Sequence, residues 1–375
     1  MPAAIYVHWA FCPYVCPYCD FAKWAWDEAA AERYARALEA EIDAAPAVLG
    51  TTLFYGGGTP NAYPAAVLAR VTARLRDRFE LAADAEASCE VNPDRALTGE
   101  FATLRAAGIN RLSIGVQSFV GEELRVLGRR HSADDVAETV QRARAAGFAN
   151  VSIDLMFGVP GQTVESWQRS LAAAVALDVE HVSTYGLTIE AGTPYATWQA
   201  RDPAAFPDDD RGADFYGVAI ETLTAAGYEQ YEISNFARPG FRCAHNENYW
   251  RNGSYLGIGT GAASYLDGVR STHTRDRTAY ETAALAGSPI PGESEELAGD
   301  ERFGEAMMLA LRTAEGVDAN AFRERYGVDV FTRYDRAITE FRAAGLLVAD
   351  GDGVRLTVRG RFVANDVCGA FLAGA

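Results

Sequence analysis

The sequence predicts an α/β fold: a partial or complete α/β barrel, followed by a small C-terminal helical, winged-helix-like domain. Three observations predict it. Strand-like and helix-like stretches alternate as far as Ile233, and such alternation builds a parallel sheet. Helical patterns end at glycine just before the next strand, at Gly147 before Asn150 and at Gly227 before Glu229, where a left-handed cap is expected. Beyond Ile233 the alternation stops, and helices followed by a hairpin take its place.

The apolar stretch Ala3–Val7 opens the barrel. Further strand candidates are Thr52–Tyr55, Ala87–Val91, Arg111–Val116, Asn150–Met156, His181–Thr188 and Glu229–Ile233. Helical patterns fill the gaps, among them Glu28–Ala45, Ala65–Asp77, Ala133–Ala146 and Val164–Leu177. In such a barrel the functional residues gather at the C-terminal ends of the strands. Asn235–Asp267 reads as loop and short strands with several glycines. Glu293–Thr313, Ala319–Tyr326 and Phe331–Ala344 read as helices. Leu346–Val348 and Val354–Leu356 flank an Asp-Gly-Asp-Gly turn and read as a hairpin, with a last helix over Arg359–Leu372. The expected division is a core over 1–234, an extension over 235–290 and a C-terminal domain over 291–375.

A chain of 375 residues, 49% of them apolar, can bury one large core and a small one. No apolar run reaches the roughly eighteen residues a membrane span needs, so at most peripheral membrane contact is expected. The start of the chain lacks the charged-then-apolar pattern of a signal peptide. A net charge of −17 argues against nucleic acid as a partner. The C-terminal helices carry no basic stripe, so packing or partner contact is expected of them rather than DNA binding. Cys89, Cys243 and Cys368 are scattered without a disulfide framework, and a cytoplasmic location fits.

Cys12, Cys16 and Cys19 stand in the spacing C-x3-C-x2-C just after the first strand. Three thiolates on one loop can ligate three irons of a [4Fe–4S] cluster and leave the fourth iron open for chemistry. A zinc site completed by a histidine, or three unrelated core thiols, are the competing readings. The second strand ends in Tyr55-Gly-Gly-Gly-Thr-Pro60. Consecutive glycines let a backbone approach a ligand and offer unhindered N–H and C=O groups, or simply make a tight turn. Glu90 ends the third strand beside Asn92-Pro93, facing the barrel mouth or pairing with an arginine. The amide of Gln117 follows the fourth strand and can bond ribose hydroxyls. Arg129 offers the paired donors that suit a carboxylate, while its neighbour Arg130 is expected to face solvent. Asp154 interrupts an apolar strand and can hold a ribose diol. Tyr6 and Tyr18 either border the cysteine loop or pack.

The cysteine loop resembles that of radical S-adenosylmethionine (SAM) enzymes. The resemblance implies a [4Fe–4S] cluster whose open iron binds the amino and carboxylate groups of SAM. An electron from a donor then releases a 5′-deoxyadenosyl radical. It also makes Gly57, Gly58 and Thr59 the segment for the methionyl amino group, and Glu90 a SAM ligand. Tyr6-Val-His-Trp9, Arg111-Leu-Ser-Ile-Gly-Val-Gln117, Ile153-Asp-Leu-Met-Phe-Gly-Val-Pro160 and Tyr231-Glu-Ile-Ser-Asn-Phe236 narrow it further. They look like the family that includes the oxygen-independent coproporphyrinogen III dehydrogenase and the heme chaperone HemW. The similarity runs from Ile5 to the C-terminal helix.

Three features favour the HemW branch. The dehydrogenase has a further cysteine two residues after the triplet, where this chain has Phe21. The dehydrogenase has a longer segment before the first strand, and here Cys12 is close to Met1. His245-Asn-Glu-Asn-Tyr-Trp250 matches the H-N-x-x-Y-W motif of HemW. A loop histidine is usually a hydrogen-bonding residue. Beside Tyr249 and Trp250 a neutral imidazole can instead ligate heme iron, with aromatic rings against the porphyrin. Cys243 is a second, weaker ligand candidate. The resemblance thus implies a chaperone that binds heme and passes it to apo-hemoproteins, with no catalytic residue assigned. The alternatives are the dehydrogenase itself, yielding protoporphyrinogen IX, and a radical SAM enzyme acting on another substrate.

Overall fold

Strands form here where β-branched and aromatic residues run together, and a computed structural model shows how they assemble over residues 1–372. Strands β1 (Pro2–Trp9), β2 (Leu49–Gly57), β3 (Ala87–Val91), β4 (Arg111–Gln117), β5 (Asn150–Phe157) and β6 (His181–Gly186) lie side by side in chain order, all parallel. Helices return the chain between them: α1 (Glu28–Ala44), α2 (Ala65–Arg78), α3 (Phe101–Ala106), α4 (Gly121–Val126), α5 (Ala133–Ala145) and α6 (Val164–Ala176). Their starts are written in the sequence. Asp27 caps α1 through the Ala30 amide, and Ser132 with Asp135 and Thr163 with Ser166 form capping boxes on α5 and α6. Helix α1 buries Ala31, Tyr34, Ala35, Leu38 and Ile42, the i, i+3, i+4 stripe of an amphipathic helix. Gly147 adopts φ +88°, the left-handed cap its position implied.

The barrel is partial. After α7 (Pro194–Arg201) and α8 (Asp209–Ala225), the expected seventh strand does not form. Only β7 (Glu229–Gln230) pairs, at the edge, with the antiparallel β8 (Asn235–Ala237). Glu232 and Ile233 turn away because their backbones bond to the C-terminal helices, the Ile233 N–H donating to Arg312 O at 3.1 Å. On the other side β9 (Tyr255–Ile258) pairs parallel to β1, followed by β10 (Ala263–Leu266), β11 (Val269–His273) and, beyond helix α10 (Arg277–Leu285), β12 (Gly292–Glu296). The result is one twelve-stranded sheet with open edges at β12 and β7.

Two sequence expectations change here. The helix expected from Glu293 starts at Gly299, because Gly292–Glu296 pairs with β11. The pairing sets Arg270 opposite Glu295, an ion pair at 3.0 Å. The segment carrying His245 is not a loop but a short helix, α9 (Ala244–Trp250), whose first amides are capped by the Glu86 carboxylate. The C-terminal residues have their own apolar core, including Met307, Leu311, Phe322, Tyr334 and Phe371. There the expected hairpin, Leu347–Asp350 with Gly353–Leu356, gains a third strand at Val317–Asp318.

Candidate functional site

The inner faces of β1 to β6 alternate, so every second residue points into the barrel. Along β4 these are Arg111, Ser113, Gly115 and Gln117; on β5, Asp154 and Met156; on β6, Ser183 and Tyr185. They are largely polar, and they surround a cavity of about 510 Å³ rather than a packed core, a size that suits one small-molecule ligand. Cys12, Cys16 and Cys19 close one side of it. Tyr6, Tyr18, Gly57, Gly58, Thr59, Glu90, Gln117, Arg129, Asp154 and His245 all line the same cavity.

The cysteine loop is tied down at its ends. The Trp26 N–H donates to Cys12 O at 2.8 Å, and the ammonium of Lys23, the chain's only lysine, bonds Cys19 O. His8 Nε2 reaches Ala22 O at 2.6 Å. All the cysteines are free thiols. Burial pushes the Cys12 thiol up to about 11, against a hydrogen bond from Thr59 that pulls it down, so binding a metal here releases a proton. Among the described residues no three such donors converge on one point, as ligands of a single ion must. The three thiols share one cavity wall, and three cysteines are the donor set that holds three irons of a cluster.

The glycine segment lines the cavity beside the cysteine loop. Its amides are committed within the protein. Gly57 N–H donates to Glu90 Oε2 at 3.1 Å, Gly58 N–H to Trp9 O at 2.6 Å and Thr59 N–H to Phe11 O at 2.9 Å. Added Cβ atoms would lie 2.3 Å from His8 at Gly57 and 2.4 Å from Trp9 O at Gly58. The glycines let β2 pack against the cysteine loop, and their N–H groups are not open to a ligand.

Arg129 Nη2 donates to Gly115 O at 2.7 Å and Nη1 points at Cys16 Sγ, 3.7 Å away, leaving Nε buried without a partner. Arg130 is exposed, over the Tyr14 ring. Gln117 sits at φ +67° beside a break in the β4–β5 register, backbone strain of the kind found at functional sites. Asp154 accepts from Ser113 Oγ at 3.2 Å. Burial, and then the nearby Asp154, push the Glu90 carboxyl up to about 8. Tyr6 bonds His8 Nδ1 at 3.1 Å and stacks on Phe54, while Tyr18 packs edge-on against Tyr195.

His245 lies on α9, 1% exposed, its ring stacked on Phe54. Burial lowers its pKa to about 3, so the imidazole is neutral. Both ring nitrogens are engaged: Nδ1 with Thr52 Oγ1 at 2.8 Å and Nε2 with Tyr249 OH at 2.9 Å. Asn246 and Tyr249 face the cavity with it, but Trp250 does not. Trp250 turns toward the C-terminal domain, under Arg312 at 5.3 Å. The weaker candidate Cys243 is also turned away, its thiol 3.4 Å from Glu86 Oε1. Arg111, Ser113, Ser183 and Tyr185 were not foreseen. The signal was there, because once Gln117 and Asp154 are assigned to the lumen, the alternate residues along their strands and their cross-strand neighbours follow.

This geometry is that of a radical SAM-type barrel, and known sequences agree. Residues 6–174 match the Radical SAM superfamily, and residues 297–363 match the HemN C-terminal domain. The chain is 35% identical to the heme chaperone HemW of Bacillus subtilis over 98% of both chains. It is 35% identical to that of Escherichia coli over 99% of this chain and 98% of the other. The chain belongs to the HemW family. A solved relative is the radical SAM coproporphyrinogen III oxidase HemN of Escherichia coli, with a TM-score of 0.85 and 27% identity over 99% of this chain and 90% of that one.

Proposed function

We propose that this protein is a heme chaperone that holds a [4Fe–4S] cluster and SAM at the barrel mouth, takes up heme and passes it to apo-hemoproteins. The single observation that carries the reading is that α9, bearing His245, Asn246 and Tyr249, closes the same cavity as the cysteine loop. Relatives carrying the name heme chaperone match along nearly the whole chain. Free thiols throughout suit a reducing compartment such as the cytoplasm, and among the described residues no helix is long and apolar enough to cross a membrane.

In this reading Cys12, Cys16 and Cys19 ligate the cluster, which supplies an open iron for the amino and carboxylate groups of SAM. Glu90 accepts a hydrogen bond from the iron-bound SAM amino group, Arg129 meets its carboxylate, and Gln117 and Asp154 the ribose. Gly57 and Gly58 shape the wall, Thr59 steadies Cys12, and Tyr6 and Tyr18 flank the site. His245 is the heme ligand: Thr52 fixes one nitrogen, as partners of metal-bound histidines do, and the other is one hydrogen bond from being free. Heme titration followed by its absorption bands tests this. His245→Ala should weaken binding or shift the bands with iron–sulfur content intact; unchanged bands would remove His245 from the site.

Two further outcomes follow. Arg129→Ala should weaken SAM binding by about 2 kcal/mol, since a carboxylate loses charge-assisted bonds; equilibrium binding to the reconstituted protein measures it. The pH dependence comes from Glu90, raised from 4.5 to about 8 in the folded chain. The folded state holds this proton more tightly than the unfolded chain, so Glu90 costs stability as pH rises between those values. Accepting an N–H from the iron-bound amino group favours the ionised form. SAM affinity should therefore climb from pH 6.5 toward about 8 and then level off, and Glu90→Gln should flatten the profile.

The coproporphyrinogen III dehydrogenase reading keeps one observation in its favour, the close match of the whole fold to HemN. Phe21, where that branch carries a cysteine, is 62% exposed at the cavity rim and offers no thiol there.

A further inference from the structure

A second cavity, of about 430 Å³, adjoins the first. It lies between the end of β1 and strands β9 to β11, with Tyr255, His8 and Arg275 on its walls. Tyr6, Phe21 and Tyr249 line both cavities and so form the partition between them. The first cavity has room for about one small ligand, and the residues read as SAM contacts already occupy its walls. The second cavity is the adjacent space with aromatic walls, but its ring nitrogens are spoken for: His8 bonds Tyr6 and Ala22. A second imidazole at the partition is His245, which unlike His8 faces the first cavity, and it is bonded by the partition residue Tyr249.

Tyr249 is placed to do two things at once. Its hydroxyl bonds His245 Nε2 at 2.9 Å and, among the described residues, bonds nothing else. Its ring stands edge-on to both His245, at 5.0 Å, and Tyr255, at 4.8 Å. In the tautomer with the proton on Nδ1, donated to Thr52 Oγ1, Nε2 accepts from the Tyr249 hydroxyl and its lone pair is covered while that bond holds. When it breaks, the proton stays on the phenol oxygen, Nδ1 keeps its bond to Thr52, and Nε2 is free to coordinate. The same movement removes part of the partition.

We propose that Tyr249 is a latch: it caps His245 Nε2 in the empty protein, and heme arriving through the second cavity displaces it to reach the imidazole. The proposal rests on the reading of His245 as the heme ligand. It assigns the tyrosine of the H-N-x-x-Y-W motif to positioning rather than to coordination. The iron–Nε2 bond replaces the phenol–Nε2 hydrogen bond, and no redox change is involved.

Stopped-flow mixing of heme with the anaerobically reconstituted protein tests it, followed by the Soret band in wild type, Tyr249→Phe, His245→Ala and the double variant. Tyr249→Phe keeps the ring and its packing and removes only the cap. It should bind heme roughly three- to tenfold faster than wild type, the worth of one hydrogen bond in the pre-binding step, with the same final spectrum. His245→Ala should remove that spectrum in either background. Equal or slower binding by Tyr249→Phe, with His245→Ala still altering the spectrum, would overturn the latch and leave the ligand assignment standing. A spectrum indifferent to His245 in both backgrounds would overturn both. Circular dichroism and the cluster absorbance of Tyr249→Phe should match wild type, which separates a capping effect from a folding one.

Discussion

Replacing Cys12, Cys16 or Cys19 with alanine is expected to take the reconstituted protein from about four irons per chain to near none. Each thiolate would hold a different iron, so the two left behind cannot grip the cluster. The loop between Cys12 and Cys19 has almost no regular structure of its own and is fixed mainly at its ends, through Trp26, Lys23 and His8. The fold should survive, because the apolar core lies between the sheet and its helices, on residues such as Trp167, Leu171 and Phe148. Iron and sulfide assays alongside far-ultraviolet circular dichroism measure both effects. Alanine at Cys89, Cys243 or Cys368 should leave iron content unaltered. The first is buried at 0% exposure on β3, the second faces Glu86, and the third lies in the C-terminal core. Full iron content in Cys16→Ala would end the cluster assignment.

Gly57→Ala is expected to lower stability by about 3 kcal/mol and to impair SAM binding with it. Gly57 sits at φ +99°, where a side chain costs about 1–2 kcal/mol in backbone strain. The new methyl would lie 2.3 Å from His8 Cε1. His8 has no room to yield cheaply, since its nitrogens bond Ala22 O at 2.6 Å and Tyr6 OH at 3.1 Å. Moving it loosens the far end of the cysteine loop, so cluster retention should fall as well. Gly121→Ala is the matched control: nothing stands within 4 Å of its Cβ, and its stability should change by no more than about 0.5 kcal/mol. Denaturant unfolding compares the two, and a Gly57→Ala protein as stable as the control would show that this packing has been misjudged.

Much of the fold was legible because its signals are local. Caps at Asp27, Ser132 and Thr163, the glycine at 147 and the apolar runs of β1 to β5 each declare an element within a few residues. What was hidden depends on distant partners. Glu293–Glu296 has helix-forming composition, yet β11 recruits it as a strand. Glu229–Ile233 looks like a strand, yet beyond Gln230 it bonds to the end of a C-terminal helix, Tyr231 O accepting from Ala314 N–H and Ile233 N–H donating to Arg312 O. The chemistry-bearing residues stood out by type and position, while Arg111 and Ser113 did not, since their place in the lumen follows only from the sheet's register. The glycine run shows the same limit: a sequence shows that space is needed at Gly57 and Gly58, not that Trp9 and His8 fill it. In the same way Trp250 and Tyr249 are neighbours in the motif, but one residue along a helix turns a side chain by about 100°, and only Tyr249 faces the cavity.

The central claim is that this cavity serves heme handling rather than the oxidative decarboxylation of a porphyrinogen. The direct measurement is anaerobic incubation of the reconstituted protein with SAM and a reductant, given heme in one reaction and coproporphyrinogen III in the other. The account predicts that heme is bound and then passed to an added apo-hemoprotein, and that coproporphyrinogen III is recovered unchanged. Conversion of coproporphyrinogen III to protoporphyrinogen IX, with SAM consumed in proportion, would contradict it.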